Sequence, residues 1–397
     1  MQAGDRLHYM DHLRALAMLA GVVFHAALAY SPLMHPIWPT ADAGRSVFVD
    51  GAAWFLHMFR MPLFFVVAGF FAALLVARRG LGGLFRNRCA RVLLPLLLFL
   101  PLVTAGMYWL TRRAAATVLH PSPVLAWLRT SIDEHGTMPF VPGWAHLWFL
   151  FYLMLFTVLV WVASALELRR VGDRIAALPA AALPAVLPLS LALPLAWAGA
   201  PWPAPDALLP SLWALAFFGV YFALGYRMFQ SADMLDRLRP LSPWLLGGAV
   251  LAYATLFWSS GGFTATARPS LLRHALLEAY AGCWMTLWCL LAARQWLGGR
   301  SATMRWLADA SYWAYLVHLP VLFAIQYGLL DVQLHWSGKF ALATTSTLAV
   351  SFASYQVLVR HTVLGRLLDG HVRDLRRLGL RTAPSPITGS ARGHDGA

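Results

Sequence analysis

The stretch DHLRALAMLAGVVFHAALAY, residues 11–30, places two ionisable side chains, Arg14 and His25, in a run of apolar residues. Their separation is about 1100° of rotation on an α-helix, or three turns plus roughly 20°, with a rise of about 16 Å. Both side chains are therefore predicted to project from nearly the same face of one helix. Ionisable groups at membrane depth are costly and usually functional. This face is predicted to belong to a site that links one membrane surface to the membrane interior.

The composition predicts an all-α, polytopic membrane bundle. Of 397 residues, 59% are hydrophobic and only 12% are charged, whereas a soluble domain carries about 25% charged residues. Apolar stretches long enough to span predict about ten transmembrane helices. They cover roughly 12–31, 47–77, 92–111, 144–166, 175–199, 209–229, 241–260, 273–293, 309–329 and 338–360. The fifth is the weakest, because four prolines interrupt it and a broken or re-entrant segment is possible.

The arginines predict the orientation of the bundle. The formal net charge is +14, but there is no basic soluble domain, so we interpret this charge as a topology signal and expect no nucleic-acid partner. Alternate links between spans are rich in arginine, and the positive-inside rule places both termini in the cytoplasm. Residues 1–377 are predicted to form one integral-membrane domain, and residues 378–397 a disordered cytoplasmic tail.

Two other readings of the sequence are less favoured. Residues 27–29, Ala-Leu-Ala, fit a signal-peptide cleavage site, but Asp11 and His25 argue against a cleaved leader, so we expect the first helix to be retained. The three cysteines have no metal-ligand spacing and are expected to behave as small apolar residues. No metal site is predicted.

Further ionisable residues in the predicted spans extend the first pair into a polar column. His57 and Arg60 share a face of the second span, and His146 opens the fourth. Glu278 and His318 lie in the eighth and ninth. His57, Arg60, His146 and Glu278 are candidates for binding a substrate. The alternatives are a buried Arg60 paired with an acid, for which Glu278 is a candidate, and histidines satisfied within a core.

Arg88 and Arg91 in the link after the second span are three residues apart, and Arg86 lies nearby. Guanidinium groups bind phosphate oxygens through paired hydrogen bonds. These three arginines and Arg14 are therefore candidates for holding a phosphorylated donor. The competing interpretation is a topology signal for the link, and for Arg14 a surface anchor paired with Asp11.

Five segments in order along residues 10–320 resemble the integral-membrane acyltransferase 3 family. They are Arg14 with His25, PLFFVVAGFF at 62–71, RCARVLLP at 88–95, HLWFL at 146–150 and SYWAYLVHLP at 311–320. The segment around Arg60 is most similar to the glucan-modifying branch, which the resemblance associates with succinylation of periplasmic glucans. Ala68 departs from the serine common there, although either small residue permits close packing.

The resemblance implies about ten helices in the bacterial cytoplasmic membrane, a cytoplasmic acyl-CoA donor and an extracytoplasmic hydroxyl acceptor such as a glycan. It implies no permanently bound cofactor, and it implies that Arg14 and His25 are needed for activity. We hypothesise that Arg14, Arg86, Arg88 and Arg91 hold the CoA phosphates. His25 would be the general base or a transient acyl carrier, and His318 would support it or donate to the thioester oxygen.

Two other function classes remain compatible with a polar column. A transporter or flippase of a sugar-like or anionic solute is the main rival, although no internal repeat of the kind common in transporters is present. A sensor or scaffold of an envelope complex is the third. The acyl group, the acceptor, the formation of an acyl-histidine and the oligomeric state are not determined by the sequence; only Arg60 points to a dicarboxylic acyl group.

Overall fold

The computed structural model describes residues 5–166, 179–231, 233–263 and 272–369. Within these ranges the regular structure is helical, without a strand, and Gly143 and Ala207 form an isolated β-bridge. The helices are α1 Asp5–Ala27, α2 Val47–Arg88, α3 Leu94–Thr117, α4 Pro123–His135, α5 Trp148–Ala165, α6 Leu183–Ala198, α7 Leu212–Gln230, α8 Met234–Leu238, α9 Ser242–Ser259, α10 Leu272–Trp296, α11 Ala302–Leu329, α12 Trp336–Ser354 and α13 Val363–Asp369. Short 3₁₀ turns cover Leu28–Tyr30, Ala145–Leu147, Ala180–Ala182 and Arg239–Leu241, and π-helical turns cover Cys89–Leu93 and Tyr355–Val359.

The prediction of an all-α polytopic membrane bundle is confirmed. The described residues contain 9 helical stretches that are long and apolar enough to cross a membrane. The weak fifth span is one of them, at Ala180–Ala198. The start of that predicted span, residues 175–178, and the predicted tail at 378–397 lie outside the described residues.

The difference between nine stretches and about ten predicted spans arises at Val47–Thr117, a stretch of 71 residues. The chain folds back on itself within this stretch, as shown by the hydrogen bond that the Arg88 guanidinium donates to the Ala68 carbonyl at 3.2 Å. A straight helix would hold these two residues about 30 Å apart. The reversal occurs at Gly80, whose φ of 67° and ψ of −179° are not helical. Both the second and the third predicted spans therefore lie within this one stretch.

Two glycines let α2 and α7 pack backbone against backbone. A Cβ atom at Gly69 would lie 2.0 Å from the Phe222 carbonyl oxygen, and one at Gly225 would lie 1.9 Å from the Val66 carbonyl oxygen. No side chain fits at either position without separating the helices. Small residues at helix contacts are the usual means of close packing in membranes, where water supplies no hydrophobic drive between helices. The close contact with α7 fixes the position of α2, and α1 packs on both α2 and α11.

The fold-back predicts a specific sensitivity at Gly80. Its φ and ψ lie in a region open essentially to glycine alone, so Gly80→Ala should destabilise the protein by about 1 to 3 kcal/mol. Gly82→Ala is a matched control, because a Cβ at either glycine meets no atom within 4 Å and only Gly80 has a positive φ. Thermal unfolding of both variants in detergent measures the difference. Equal melting temperatures would contradict a turn that requires glycine at position 80.

Candidate active site

A cavity of about 1190 Å³ runs along α1 between α2, α5 and α11. One face of α1 lines it, through residues that are mostly three or four positions apart: His8, Asp11, His12, Arg14, Met18, Gly21 and His25. The distance along the helix from His8 to His25 is about 25 Å. Arg14 and His25 therefore share one face, as the sequence predicted, and that face is a wall of one continuous cavity.

Histidines meet at the deep end of this cavity. His25 Nδ1 lies 2.9 Å from His318 Nε2, and the two rings are stacked with centroids 5.1 Å apart. His318 Nδ1 lies 3.1 Å from the Ala314 carbonyl oxygen and 2.9 Å from that of Tyr315. The structure thus brings together two residues from separate predicted spans of the polar column.

The carbonyl oxygens determine which nitrogens carry protons in this pair. A carbonyl can only accept, so Nδ1 of His318 carries a proton, and the Nε2 of a neutral His318 carries a lone pair. His25 Nδ1 must then donate to His318 Nε2. This leaves the lone pair of a neutral His25 on Nε2, which is the arrangement that a general base or a nucleophile requires.

Arg60 lies beside this pair and lines the same cavity. Its side chain is 6% exposed, and its guanidinium carbon lies 4.6 Å from the centre of the Phe24 ring. A Cβ at Gly21 would lie 3.0 Å from Arg60 Nη1, so the glycine makes room for the guanidinium. Among the described residues no carboxylate forms a salt bridge with Arg60. A buried cation without an acid beside it makes the deep end of the cavity attractive to an anion.

The alternative in which Arg60 pairs with Glu278 is not observed, since no salt bridge joins these two described residues. The carboxylate of Glu278 instead accepts a hydrogen bond from the backbone N–H of Trp202 at 3.0 Å. Trp202 belongs to the proline-rich link between α6 and α7, and its side chain is fully buried. Because Trp202 of this link is buried in the bundle, its backbone N–H can donate to Glu278. The helical pattern of the sequence did not predict this donor.

His57 also turns toward this link. Its Nε2 lies 3.0 Å from the Trp202 carbonyl oxygen, so it donates to that oxygen, and its ring lies 3.8 Å from the Trp202 ring and 4.9 Å from the Phe24 ring. Neither His57 nor Glu278 lines the cavity. The structure therefore brings Arg60 and His146 to the cavity and places the other two predicted substrate-binding residues around Trp202.

The opposite end of the cavity is rich in arginine. Arg14 forms an ion pair with Asp11 at 3.5 Å and donates to the Ala308 carbonyl at 3.1 Å. Arg88 and Arg91 line the same end, and Tyr312 donates to the Arg91 carbonyl at 2.8 Å. Arg86 is exposed and lies outside the cavity lining. The π-helical turn at Cys89–Leu93 adds a residue to the helical turn, a device frequent at functional sites.

Several residues at this end of the cavity were not predicted as site residues from the sequence. Arg305, Asp309 and Arg360 line the cavity, together with His361. The two arginines were assigned to topology, and nothing in the local sequence distinguishes them from other arginines of the links. In all, six arginines and two aspartates line the cavity, so its electrostatic preference is for anions.

A known protein family matches the part of the chain that forms most of this cavity. Residues 7–356 match the model of the acyltransferase domain of the acyltransferase 3 family. This range contains α1 except for its first two residues, and all of α2, α5 and α11, which form the cavity walls described above. Arg360 and His361 lie just beyond it.

Curated relatives that match the chain include proteins named glucans biosynthesis protein C. The protein from Escherichia coli is 32% identical over 163 residues, which are 40% of this chain and 39% of the relative. Those from Salmonella schwarzengrund and Salmonella typhimurium are 27% identical over 387 residues, or 92% of this chain and 95% of each relative. No solved structure matches the chain.

The family model covers far more than half of the chain, and the nine apolar helical stretches agree with it. The chain belongs to the acyltransferase 3 family and is a multi-pass membrane O-acyltransferase.

Proposed function

We propose that this enzyme transfers an acyl group from cytoplasmic acyl-CoA to a hydroxyl group of an extracytoplasmic glycan, with His25 as the general base. The observation that carries this proposal is that one cavity has arginines at one end and the His25–His318 pair at the other. An anionic donor and a deprotonating group are then available in one continuous space. The proposal places the enzyme in the bacterial cytoplasmic membrane, with the arginine-rich end facing the cytoplasm by the positive-inside rule.

The donor end suits coenzyme A. CoA carries a diphosphate and a further phosphate, and guanidinium groups hold phosphate oxygens by charge-assisted hydrogen bonds. Arg14, Arg88 and Arg91 are supported in this role by their position in the cavity wall. The extended pantetheine arm would then lie along α1, with its thioester directed to His25. The exposed Arg86 has less support, since it lies outside the cavity.

In the proposed reaction His25 Nε2 removes the proton of an acceptor hydroxyl while the oxygen attacks the thioester carbonyl carbon. The bond between that carbon and the CoA sulfur then breaks, and the imidazolium of His25 returns the proton to the leaving sulfur. The products are an acyl ester and free CoA thiol. His318 accepts the His25 Nδ1 proton in a hydrogen bond throughout, which orients His25 and stabilises its charged form. The same lone pair on Nε2 is compatible with a transient acyl-His25, followed by attack of the acceptor.

Arg60 supports a dicarboxylic acyl group within this scheme. The guanidinium lies in the deep end of the cavity without an acid among the described residues, so the free carboxylate of a succinyl group would give it a counter-ion. The name of the relatives, glucans biosynthesis protein C, supports a glucan as the acceptor.

The function is tested with purified enzyme in lipid nanodiscs, radiolabelled acetyl-CoA and succinyl-CoA, and linear glucose oligosaccharides as the probe acceptor. We expect labelled ester and free CoA thiol in equal amounts. His25→Ala should lower the rate by about 10²- to 10⁴-fold, the usual contribution of a general base, while CoA still binds. Full activity of this variant would refute the mechanism. Failure of the wild-type protein to bind CoA would favour the transporter.

The arginines at the donor end of the cavity predict that losing one positive charge there weakens CoA binding more than losing one elsewhere in the same link. Arg88→Gln should weaken CoA binding about tenfold, with a smaller dependence on salt than in the wild type, since one phosphate contact is lost. Arg78→Gln is the matched control, because Arg78 lies in the same link but is exposed and outside the cavity lining. Isothermal titration with CoA compares the two variants. Equal losses would mean that the link acts only through its overall charge.

Arg60 predicts the choice of acyl group. Arg60→Met should lower kcat/KM for succinyl-CoA by at least about tenfold relative to acetyl-CoA, since it removes the partner of the free carboxylate. Arg60→Lys, which keeps the positive charge, should retain part of the preference. Parallel assays with both donors measure the ratio. An unchanged ratio in the Met variant would remove Arg60 from acyl-group selection.

A further inference from the structure

A proline in α11 creates a backbone defect beside the histidine pair. In a regular helix the carbonyl of residue 316 accepts from the N–H of residue 320, but Pro320 has no N–H. The proline ring also crowds the carbonyl four residues earlier and opens the helix there. In a membrane interior a carbonyl without a hydrogen-bond donor is unfavourable unless another group satisfies it.

His146 supplies the missing donor. Its Nε2 lies 3.3 Å from the Leu316 carbonyl oxygen and 3.2 Å from that of Tyr315. The Tyr315 hydroxyl in turn donates to the backbone carbonyl of His146 at 2.7 Å. The histidine is therefore held twice by the same turn of α11, once through its ring and once through its backbone.

This arrangement determines the tautomer of His146. The carbonyls can only accept, so Nε2 carries the proton and the lone pair of the neutral ring is on Nδ1. His146 Nδ1 is buried and has no hydrogen-bond partner among the described residues. The residue as a whole is 8% exposed and lines the cavity. The ring packs edge-on against His318, with centroids 5.2 Å apart. An acceptor nitrogen thus lies next to the His25–His318 pair.

We infer that Pro320 is a positioning residue that holds His146 with Nδ1 ready to accept a hydrogen bond from the acyl acceptor. This inference rests on the proposed function and deepens it. A neutral imidazole nitrogen with a lone pair binds only a group that donates a proton. The thioester group has none, whereas an alcohol has one.

The same arrangement selects the class of acceptor. A single hydroxyl has one proton, and in the proposed reaction that proton goes to His25. His146 therefore needs a second hydroxyl of the same molecule. Since both rings pack against His318, the two nitrogens serve neighbouring hydroxyls of one polyhydroxylated acceptor, such as a sugar unit, better than a simple alcohol.

The first test measures the tautomer itself, without any acceptor. Pro320→Ala restores an N–H for the Leu316 carbonyl and should release His146. Selective ¹⁵N labelling of histidine, with the His146 signals assigned by their loss in His146→Leu, should give the Nε2–H form in the wild type and a mixture of tautomers in Pro320→Ala. Pro101→Ala is the matched control, because Pro101 also lies inside a spanning helix, but the carbonyl four residues before it, that of Leu97, is not one that His146 contacts. An unchanged His146 tautomer in Pro320→Ala would overturn the role of Pro320.

The second test is kinetic and uses the glucose oligosaccharides with labelled acyl-CoA. Pro320→Ala should raise the acceptor KM about five- to tenfold, as expected for one hydrogen bond, with the donor KM and the kcat at saturating acceptor unchanged. In a His146→Leu background Pro320→Ala should have no further effect on the acceptor KM. An equal rise in donor KM, or an additive effect, would overturn the inference.

The two tests separate this inference from the proposed function. If the wild type transfers no acyl group while the tautomer still depends on Pro320, the proposed function fails, and the acceptor role of His146 fails with it. If Pro320→Ala does not fold, His146→Gln replaces it, since its amide keeps one donor and one acceptor. His146→Gln should then keep a lower acceptor KM than His146→Leu, and equal values would overturn the acceptor role.

Discussion

The hydrogen bond between His25 Nδ1 and His318 Nε2 joins the first helix of the bundle to α11, across 293 residues of sequence. Its direction follows from the carbonyls behind His318, which require a proton on Nδ1 of that ring. The lone pair that remains on His25 Nε2 is what a general base or a nucleophile requires. Because each ring nitrogen is a donor or an acceptor according to its neighbours, the position of one proton determines the others.

The helix backbone contributes as much to this site as the side chains. Pro320 frees the Leu316 carbonyl, which holds His146, and Gly21 makes room for the Arg60 guanidinium. The π-helical turns at Cys89–Leu93 and Tyr355–Val359 both contribute residues to the cavity wall. Within a membrane such departures from a regular helix persist only where protein groups satisfy the freed backbone. Here that requirement concentrates polar groups around one cavity.

A large share of the site could be predicted from local sequence. Arg14, His25, Arg60, Arg88, Arg91, His146 and His318 all line one cavity, as the polar column suggested. Arg88 and Arg91 were detected by their spacing in a link, whereas the others were detected because an ionisable group in an apolar span is costly and therefore conspicuous. His57 and Glu278 were conspicuous for the same reason, yet they bind the backbone carbonyl and the backbone N–H of Trp202 instead. The cost of burial predicts that a partner exists and does not predict which partner.

The sequence by itself determined the class of the fold, the approximate spans and the shared face of Arg14 and His25, because apolar length and helical periodicity are local properties of the chain. The tertiary structure alone decided the fold-back at Gly80, the insertion of Trp202, the recruitment of Arg305 and Arg360 to the cavity and the protonated nitrogen of each histidine. Most of these depend on contacts between segments distant in sequence. Such contacts follow from close packing and hydrogen-bond satisfaction in three dimensions, which no local pattern specifies.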